Sequence, residues 1–480
     1  MRSKTDNGNG RPRTEKQGVF DVAVVGGGVV GCAVARKFVL EGAKVILLEK
    51  GSDILSGSSK ANSAILHTGF DAPPNSLELQ CVQAGYKEYL EIFKDFNLPL
   101  LKTSAFVVAW NDQQLAHLSE IKSQAHQNNV MDVDVIDREI LLKMEPHLSN
   151  AALGAVTVPG EFVIDPWSSP LAYLTQAVLN GAEVRFEYDV SSGQFDGDGW
   201  LLKSDTQADV SARFVINCAG LYGDYLDQAL LGQSEFLIKP RKGQFIVYDK
   251  AASSLLTSII LPVPSERTKG IVLTRTIFGN LLVGPTAEEQ DERGIASVSH
   301  CELEKLKTAG EAIVPSLKDI PVIATYAGLR PACESKDYRV FEYQEKNWIT
   351  AGAIRSTGLT SSLGLASYIF KQYSKMAKPL ISLATIKTPK MPNLSEYEPR
   401  DWTQPGYGEI VCHCEMVTKR EIDNAISSVL PARDLSGLKR RTRATMGRCQ
   451  SFYCAARLAE LTKNKFVNGP IVEIKGDANE

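Results

Sequence analysis

The chain has 480 residues, of which 44% are hydrophobic and 23% charged, a composition typical of globular proteins. At about 150 residues per domain, this length predicts roughly three structural units. The 53 Lys and Arg residues nearly balance the 56 Asp and Glu residues, so the bulk charge indicates neither nucleic acid nor an acidic membrane as a partner. Glycines interrupt the most apolar stretch, VAVVGGGVVGCAVA, which is shorter than the roughly 18 residues of a transmembrane helix, so no transmembrane segment is expected.

The first 18 residues are polar and lack the apolar core of a secretory signal. Residues 1–18 are therefore expected to form a disordered tail, although their basic residues leave a weak organelle-targeting presequence as an alternative. Nine cysteines are too few for a disulfide framework in a chain of this size. The expected compartment is the reducing cytoplasm.

A glycine-rich turn follows the first predicted strand. FDVAVV predicts this strand, VVGCAVARKFVLEGA a helix and KVILLEK a second strand, which together make a βαβ unit. Gly26, Gly28 and Gly31 allow a tight turn, the approach of a pyrophosphate and close contact of helix and strand. Glu49 ends the second strand, where it can accept hydrogen bonds from a ribose. The pattern predicts a dinucleotide site and leaves FAD and NAD open.

Apolar strands and helices alternate from this unit to about residue 385. One of these strands, RFVINCAGLYGD, ends at Ala219 and Gly220 and is expected to contact the nucleotide. Four prolines between residues 386 and 407 forbid a continuous helix and predict a linker. The residues after it form a small unit of low apolar content, which usually needs a metal to be stable.

Two tight cysteine pairs lie in this last unit, and thiolates at this density bind either zinc or iron. The pairs are Cys412 with Cys414, and Cys449 with Cys454. A basic run precedes the second pair: Lys439, Arg440, Arg441 and Arg443. It is expected to be either a docking patch for an acidic redox partner or a solvated face.

Residues 20 to 385 resemble the D-amino-acid-oxidase-like flavoproteins, in the branch of FAD-dependent glycerol-3-phosphate and L-2-hydroxyglutarate dehydrogenases. The resemblance runs through VAVVGGGVVGCAVAR, SGSSKANSAILHTGFDAPPNSLELQ, PRKGQFIVYD, YAGLRPA and AGAIRSTGLTSSLGLASYI. The C-terminal CHCEMVTKREI and LKRRTRATMGRCQSFYC resemble the ferredoxin-like domain of the bacterioferritin-associated type. They also resemble the C-terminus of the catalytic subunit of anaerobic glycerol-3-phosphate dehydrogenases.

The resemblance implies an α/β fold with a discontinuous, Rossmann-like FAD-binding domain. A substrate domain with a mixed or antiparallel sheet would cover the isoalloxazine, both domains lying within 19–385. The linker at 386–407 would lead to a small, mainly α iron–sulfur domain at 408–475. By the same analogy the four cysteines would bind a 2Fe-2S cluster.

The resemblance also implies roles for individual residues. His67 would accept the hydroxyl proton, while Arg330 and Arg355 would hold an anionic substrate. The alternatives are a structural histidine, and arginines paired with Glu334, Asp337 or the FAD pyrophosphate. The residues expected to bind FAD are Gly26, Gly28, Gly31, Glu49, Lys50, Ser59, Asn62, Ser63, Val190, Ala219, Gly220, Gly358, Leu359 and Thr360.

The implied function is an FAD and iron–sulfur dehydrogenase for a small anionic 2-hydroxy compound, foremost sn-glycerol 3-phosphate. Hydride would pass to flavin N5, and electrons would leave through the 2Fe-2S cluster to a redox partner, either a second flavoprotein or a quinone-linked subunit. The first alternative is an L-2-hydroxyglutarate or amine dehydrogenase or oxidase. The second is a non-catalytic electron carrier or redox sensor.

Overall fold

The computed structural model describes residues 18–264 and 270–467. Residues 1–17, which include nearly all of the expected disordered tail, lie outside the described residues, as do residues 468–475 of the expected C-terminal domain. Within the described ranges, no helix has both the length and the apolar character needed to cross a membrane.

The structure has strands and α-helices with the following bounds. The strands are β1 Phe20–Val25, β2 Val45–Leu48, β3 Ile65–Leu66, β4 Leu100–Lys102, β5 Ala105–Ala109, β6 Asp134–Asp137, β7 Gly154–Val158, β8 Phe162–Ile164, β9 Glu183–Arg185, β10 Ser192–Phe195, β11 Trp200–Lys203, β12 Val210–Asn217, β13 Lys239–Tyr248, β14 Ile259–Pro262, β15 Val272–Arg275, β16 Leu281–Gly284, β17 Glu288–Glu289, β18 Val322–Ala332, β19 Arg339–Tyr343, β20 Trp348–Gly352, β21 Ile410–Cys412 and β22 Val417–Thr418. The helices are α1 Val29–Leu40, α2 Leu77–Ile92, α3 Asp112–Gln127, α4 Arg138–Met144, α5 Ser168–Leu179, α6 Gly223–Leu231, α7 His300–Ile313, α8 Gly358–Met376, α9 Lys419–Ser427, α10 Leu435–Thr442 and α11 Ala455–Leu461.

An eight-stranded sheet contains the predicted βαβ unit at its centre. Its main strand order is β10-β11-β12-β1-β2-β9, and β20 adds to β12 with β19 beyond it. β1 runs parallel to β2 and β12, and β12 runs parallel to β20. Because parallel strands end at one edge of a sheet, the residues that follow β1, β2 and β12 meet there. The expected Rossmann-like arrangement is confirmed.

A nine-stranded sheet forms the second body, with the main order β17-β13-β16-β15-β14-β5-β7-β6 and with β18 on β13. All its pairings are antiparallel except that of β14 with β5. Two apolar core clusters, one around Val107 and Val156 and one around Phe106 and Leu281, contain alternate residues of its strands. The expected mixed, mostly antiparallel sheet is confirmed.

The proline-rich segment 386–407 contains neither an α-helix nor a β-strand, yet it lies against the protein body. Met391 and Leu394 are buried. The Met391 N–H donates to the Phe96 carbonyl at 2.8 Å, and the Glu396 N–H donates to the Ile277 carbonyl at 3.0 Å. The segment therefore contacts both bodies before the chain enters the C-terminal unit.

The C-terminal unit is small, as expected, but it mixes helices with two short strands, where a mainly α unit was expected. β21 and β22 pair antiparallel, and α9 begins at a capping box in which Thr418 and Glu421 satisfy each other's backbone N–H groups. Its own core is small and includes Cys412 and Cys454.

Both interpretations of the basic run are wrong for its arginines, since Arg440, Arg441 and Arg443 are buried. Arg441 donates from both terminal nitrogens to the two oxygens of Asp53, at 2.8 and 3.0 Å, and Asp53 belongs to the loop after β2. Arg440 donates to the Ile54 carbonyl of the same loop at 2.8 Å. The run anchors the C-terminal unit because Asp53 supplies a buried counter-charge that lies far away in the sequence.

We expect Arg441→Leu to destabilise the fold by about 3–5 kcal/mol, because it leaves the buried Asp53 carboxylate without its cation. Urea unfolding followed by circular dichroism measures this loss. The control is Arg457→Leu, which removes an arginine of the same unit from an exposed ion pair with Glu409 and should change the midpoint little. Equal, small effects in both variants would contradict an anchoring role for Arg441.

Candidate active site

A cavity of about 1340 Å³ lies between the two sheets. Single small-ligand pockets measure about 300–1,000 Å³, so this cavity has room for a dinucleotide and a small substrate. Most of the predicted site residues line it: Gly26, Gly28, Glu49, Lys50, Ser59, Asn62, Ser63, His67, Val190, Ala219, Gly220, Arg330, Arg355, Gly358 and Leu359. Gly31 and Thr360 are not on its wall.

The glycine turn leaves no space for side chains at two positions. Gly26 has φ +110°, and a Cβ on it would lie 2.4 Å from the Cys218 carbonyl oxygen. A Cβ on Gly31 would lie 1.9 Å from the Gly26 carbonyl oxygen, so Gly31 acts behind the wall by letting α1 approach the turn. The N-terminus of α1 thus faces the cavity, where its dipole favours a phosphate. This geometry fits a dinucleotide.

Glu49 is buried at the end of β2 and held in position by three donors. Its carboxylate accepts from the Gly27 N–H at 2.5 Å, the Gly51 N–H at 2.7 Å and the Ser56 hydroxyl at 3.2 Å. An ionised carboxylate offers about four acceptor sites, so Glu49 can also accept from a ribose hydroxyl in the cavity it lines.

His67 lies on the wall and is oriented by a buried acid. Its Nδ1 lies 2.8 Å from Oε2 of Glu161, whose side chain is fully buried. Thr68 donates to the other carboxylate oxygen through its N–H and its hydroxyl, at 2.6 and 2.9 Å. With Nδ1–H donated to Glu161, the proton-accepting lone pair belongs to Nε2. The His67 N–H donates to Thr360 Oγ1 at 3.0 Å, so Thr360 contacts this wall residue from behind the wall.

Two arginines stand opposite each other on the substrate sheet. Arg330 of β18 pairs in register with Arg241 of β13, and both line the cavity. Arg330 donates to the Thr286 carbonyl at 3.1 Å and has no acidic partner among the described residues. Burial, together with the charge of Arg241, lowers the pKa of Arg330 to about 10, so it remains a cation at neutral pH. Like charges placed opposite each other are destabilising unless an anion joins them.

Arg355 is partly neutralised within the protein. It lies 3.8 Å from Glu78 and donates to the Lys336 carbonyl. Among the described contacts, neither Arg355 nor Arg330 pairs with Glu334 or Asp337, so those two pairings are wrong, and pairing with the FAD pyrophosphate stays a prediction. Arg355 therefore contributes less unmatched charge to the cavity than Arg330 does.

The four cysteines of the C-terminal unit meet as two pairs. The Cys414 and Cys449 thiols interact with each other, and so do the Cys412 and Cys454 thiols. No group of three or more His, Cys, Asp or Glu side chains converges on a single metal position in the described parts of the chain. Two pairs fit a two-iron centre, in which each iron takes two thiolates, better than a tetrahedral zinc.

Sequence reasoning missed Arg241 and Glu161 as site residues. Arg241, Gly243 and Phe245 all line the cavity, and their period of two along β13 was the available signal. Glu161 is the only acid in the apolar stretch VPGEFVI, and an acid buried in such a stretch needs a hydrogen-bonded partner, which was the available signal.

Comparisons with known proteins agree with this geometry. Residues 21–372 match the FAD dependent oxidoreductase family, and residues 410–464 match the BFD-like 2Fe-2S binding domain. Glycerol 3-phosphate dehydrogenase of Caloramator mitchellensis is 31% identical over 92% of this chain and 94% of its own. One subunit of the anaerobic glycerol-3-phosphate dehydrogenase of Haemophilus influenzae is 26% identical over 93% of this chain and 85% of its own.

A solved structure is similar as well. Dithionite-reduced L-alpha-glycerophosphate oxidase from Mycoplasma pneumoniae, with FAD bound, has a TM-score of 0.72 at 26% identity, covering 79% of this chain and 99% of that chain. FAD and a 2Fe-2S cluster are the cofactors of this chain, as the resemblance predicted.

We expect Gly31→Ala to lose most of its FAD, because the added methyl group would overlap the Gly26 carbonyl and open the turn. The ratio of flavin to protein absorbance in the purified variant measures this. Gly223→Ala is the control, since a Cβ there meets no atom nearer than 3.7 Å at the start of α6. Full flavin content in Gly31→Ala would show that the turn tolerates a side chain.

Proposed function

This chain belongs to the FAD dependent oxidoreductase family, and we propose that it oxidises sn-glycerol 3-phosphate at its secondary alcohol. The observation that carries the proposal is the pair of facing arginines, Arg241 and Arg330, on the cavity wall. A phosphate dianion offers three oxygens to two guanidinium groups, whereas one carboxylate satisfies only one fork. Both relatives described above are glycerol 3-phosphate dehydrogenases, which supports the same substrate.

His67 takes the proton from the substrate hydroxyl in this proposal. Glu161 holds the imidazole with Nδ1 protonated and stabilises the imidazolium that forms, as a buried, hydrogen-bonded carboxylate does for a general base. FAD, when bound, supplies the hydride acceptor. The N-terminus of α8, where Gly358 and Leu359 line the cavity, favours negative charge on the ring system.

We also propose a route by which the electrons leave the flavin. A 2Fe-2S centre held by Cys412, Cys414, Cys449 and Cys454 would carry single electrons to a redox partner protein. The Haemophilus influenzae relative is named as one subunit of its enzyme, which supports such a partner. Between two of the ligands, Phe452 and Tyr453 are 81% and 75% exposed, and exposed apolar groups of this kind mark contact surfaces.

Two further parts of the proposal concern organisation and location. We keep the limits 19–385, 386–407 and 408–475 for the flavin body, the connecting segment and the iron–sulfur unit. We also place the protein in the cytoplasm. None of its nine cysteines, all of which lie within the described ranges, forms a disulfide, and a reducing compartment keeps thiols in that state.

Anaerobic titration of the holoenzyme tests the function. We expect sn-glycerol 3-phosphate to bleach the flavin, while L-2-hydroxyglutarate and amino acids do not. Arg330→Lys should lower kcat/KM, by an amount equivalent to about 1–3 kcal/mol of activation free energy, because an ammonium keeps the charge but loses the planar fork. The exposed Arg213→Lys is the control. If only L-2-hydroxyglutarate bleaches the flavin, that compound is the substrate instead. If no compound bleaches it, the protein is an electron carrier.

We expect His67→Asn to slow flavin reduction by about a hundredfold or more. The wild-type rate should fall on acidification, because a protonated imidazole cannot accept the hydroxyl proton, and the variant should lose this dependence. Stopped-flow absorbance at the flavin band measures both. An unchanged rate and pH profile in the variant would assign the base to another residue.

A further inference from the structure

The side chains of Arg443, Phe278 and Trp167 stack as a column between the C-terminal unit and the loop at residues 59–61, which lines the cavity. The Arg443 guanidinium lies 3.9 Å from the centroid of the Phe278 ring, and the Phe278 ring stacks on Trp167 at 5.5 Å with an interplanar angle of 15°. Each member comes from a different part of the chain. Arg443 belongs to the C-terminal unit, Phe278 to the β15–β16 turn and Trp167 to the start of α5.

The first end of the column touches the surroundings of the iron–sulfur centre. Arg443 donates from Nε to Glu415 at 2.8 Å, and Glu415 follows the ligand Cys414 directly in the sequence. Both side chains of this ion pair are buried. A buried pair with good geometry is rigid, so Arg443 keeps its position relative to the ligand loop.

The other end touches the loop that lines the cofactor cavity. Trp167 Nε1 donates to the Lys60 carbonyl at 3.1 Å, and the neighbouring Ser59 and Ala61 are on the cavity wall. Asp165, itself fully buried, fixes the backbone of Trp167 by accepting its N–H at 2.8 Å. The column therefore runs from the ligand loop of one cofactor to the cavity wall of the other.

We propose that the Phe278–Trp167 stack, held in place by Arg443, is the route by which electrons pass from the FAD site to the iron–sulfur centre. Electron tunnelling weakens with distance and with gaps between groups, and the stacked Phe278 and Trp167 rings shorten the gap that an electron must cross between the two sites. This inference rests on the proposed function, because it requires the cluster to receive the electrons taken from the substrate.

The electron count sets what the column must do. Oxidation of the alcohol to a ketone gives a hydride to FAD and a proton to His67. The two electrons of the hydride would leave the flavin one at a time, and its proton would go to solvent. The centre would take one electron in each passage, with one iron going from ferric to ferrous. A one-electron oxidant such as ferricyanide would have to reoxidise the centre before the second passage, and the single-turnover test below follows the first passage only.

Single-turnover spectroscopy of the holoenzyme tests the column. After anaerobic mixing with sn-glycerol 3-phosphate, we expect Phe278→Leu and Trp167→Leu to bleach the flavin at the wild-type rate. The appearance of the reduced cluster, followed by freeze-quench electron paramagnetic resonance, should slow about tenfold, equivalent to about 1.4 kcal/mol in the barrier. Phe278→Tyr and Trp167→Phe, which keep a ring, should restore most of the rate.

Phe236→Leu is the matched control. Phe236 is as buried as Phe278, at 5% exposure for each, and also stacks on a second ring, Phe341, but outside the column. It should change neither phase. Unchanged cluster reduction in both leucine variants of the column, with cluster content and FAD content normal, would overturn the proposal, and so would equal slowing in the leucine and aromatic variants.

The proposed substrate and the proposed electron route can be tested separately. If glycerol 3-phosphate does not bleach the flavin, the proposed function fails. The same variants are then compared after photoreduction of FAD with EDTA and light, which needs no substrate. Slower cluster reduction in Phe278→Leu under these conditions would still support the column, and an unchanged rate would still reject it.

Discussion

The carboxylate of Asp53 determines how the C-terminal unit sits on the flavin body. It is buried in the loop after β2, a few residues from Glu49, and is matched by the bidentate Arg441 guanidinium. Removing two charges from water is costly, so such a pair persists only with good geometry and further hydrogen bonds. The Ile54 and Arg433 N–H groups donate to Asp53 and supply those bonds. One ion pair thereby links the dinucleotide loop to the iron–sulfur unit.

At the substrate end of the cavity, charge is matched less completely within the protein. Arg241 has only the exposed Glu289 as an acidic partner among the described contacts, and Arg330 has none among the described residues. Meanwhile Glu161 keeps one negative charge beside His67. In the proposed function, this cationic wall binds the anion, and the imidazole–carboxylate pair of the same cavity takes the proton from its alcohol. Binding and proton transfer would then come from two different elements of the protein.

Local patterns predicted the dinucleotide half well. The order strand, glycine turn, helix, strand is contiguous in sequence, so FDVAVVGGG and KVILLEK were enough to place Gly26, Gly31 and Glu49. The β-branched, apolar run EVRFEYDV favours a strand by itself, but it forms one only over Glu183–Arg185, because Glu187 adopts φ +56° and ends the extended backbone. Resemblance, rather than periodicity, supplied His67 and Arg330, since neither residue type carries a local signal for its role.

The sequence by itself determined the βαβ turn, the two cysteine-rich segments and the strand PRKGQFIVYD, because each depends on residues that are close along the chain. Which cysteine meets which was decided by the fold, since Cys414 lies with Cys449 and Cys412 with Cys454. The tertiary structure alone decided what the arginines do. Arg443 meets the ring of Phe278, which lies far away in the sequence, and Arg441 meets Asp53 across 388 residues. From its sequence, a run of basic residues is expected to be exposed to solvent. The spacing of residues along the chain does not show that a distant carboxylate or aromatic ring will pack against it.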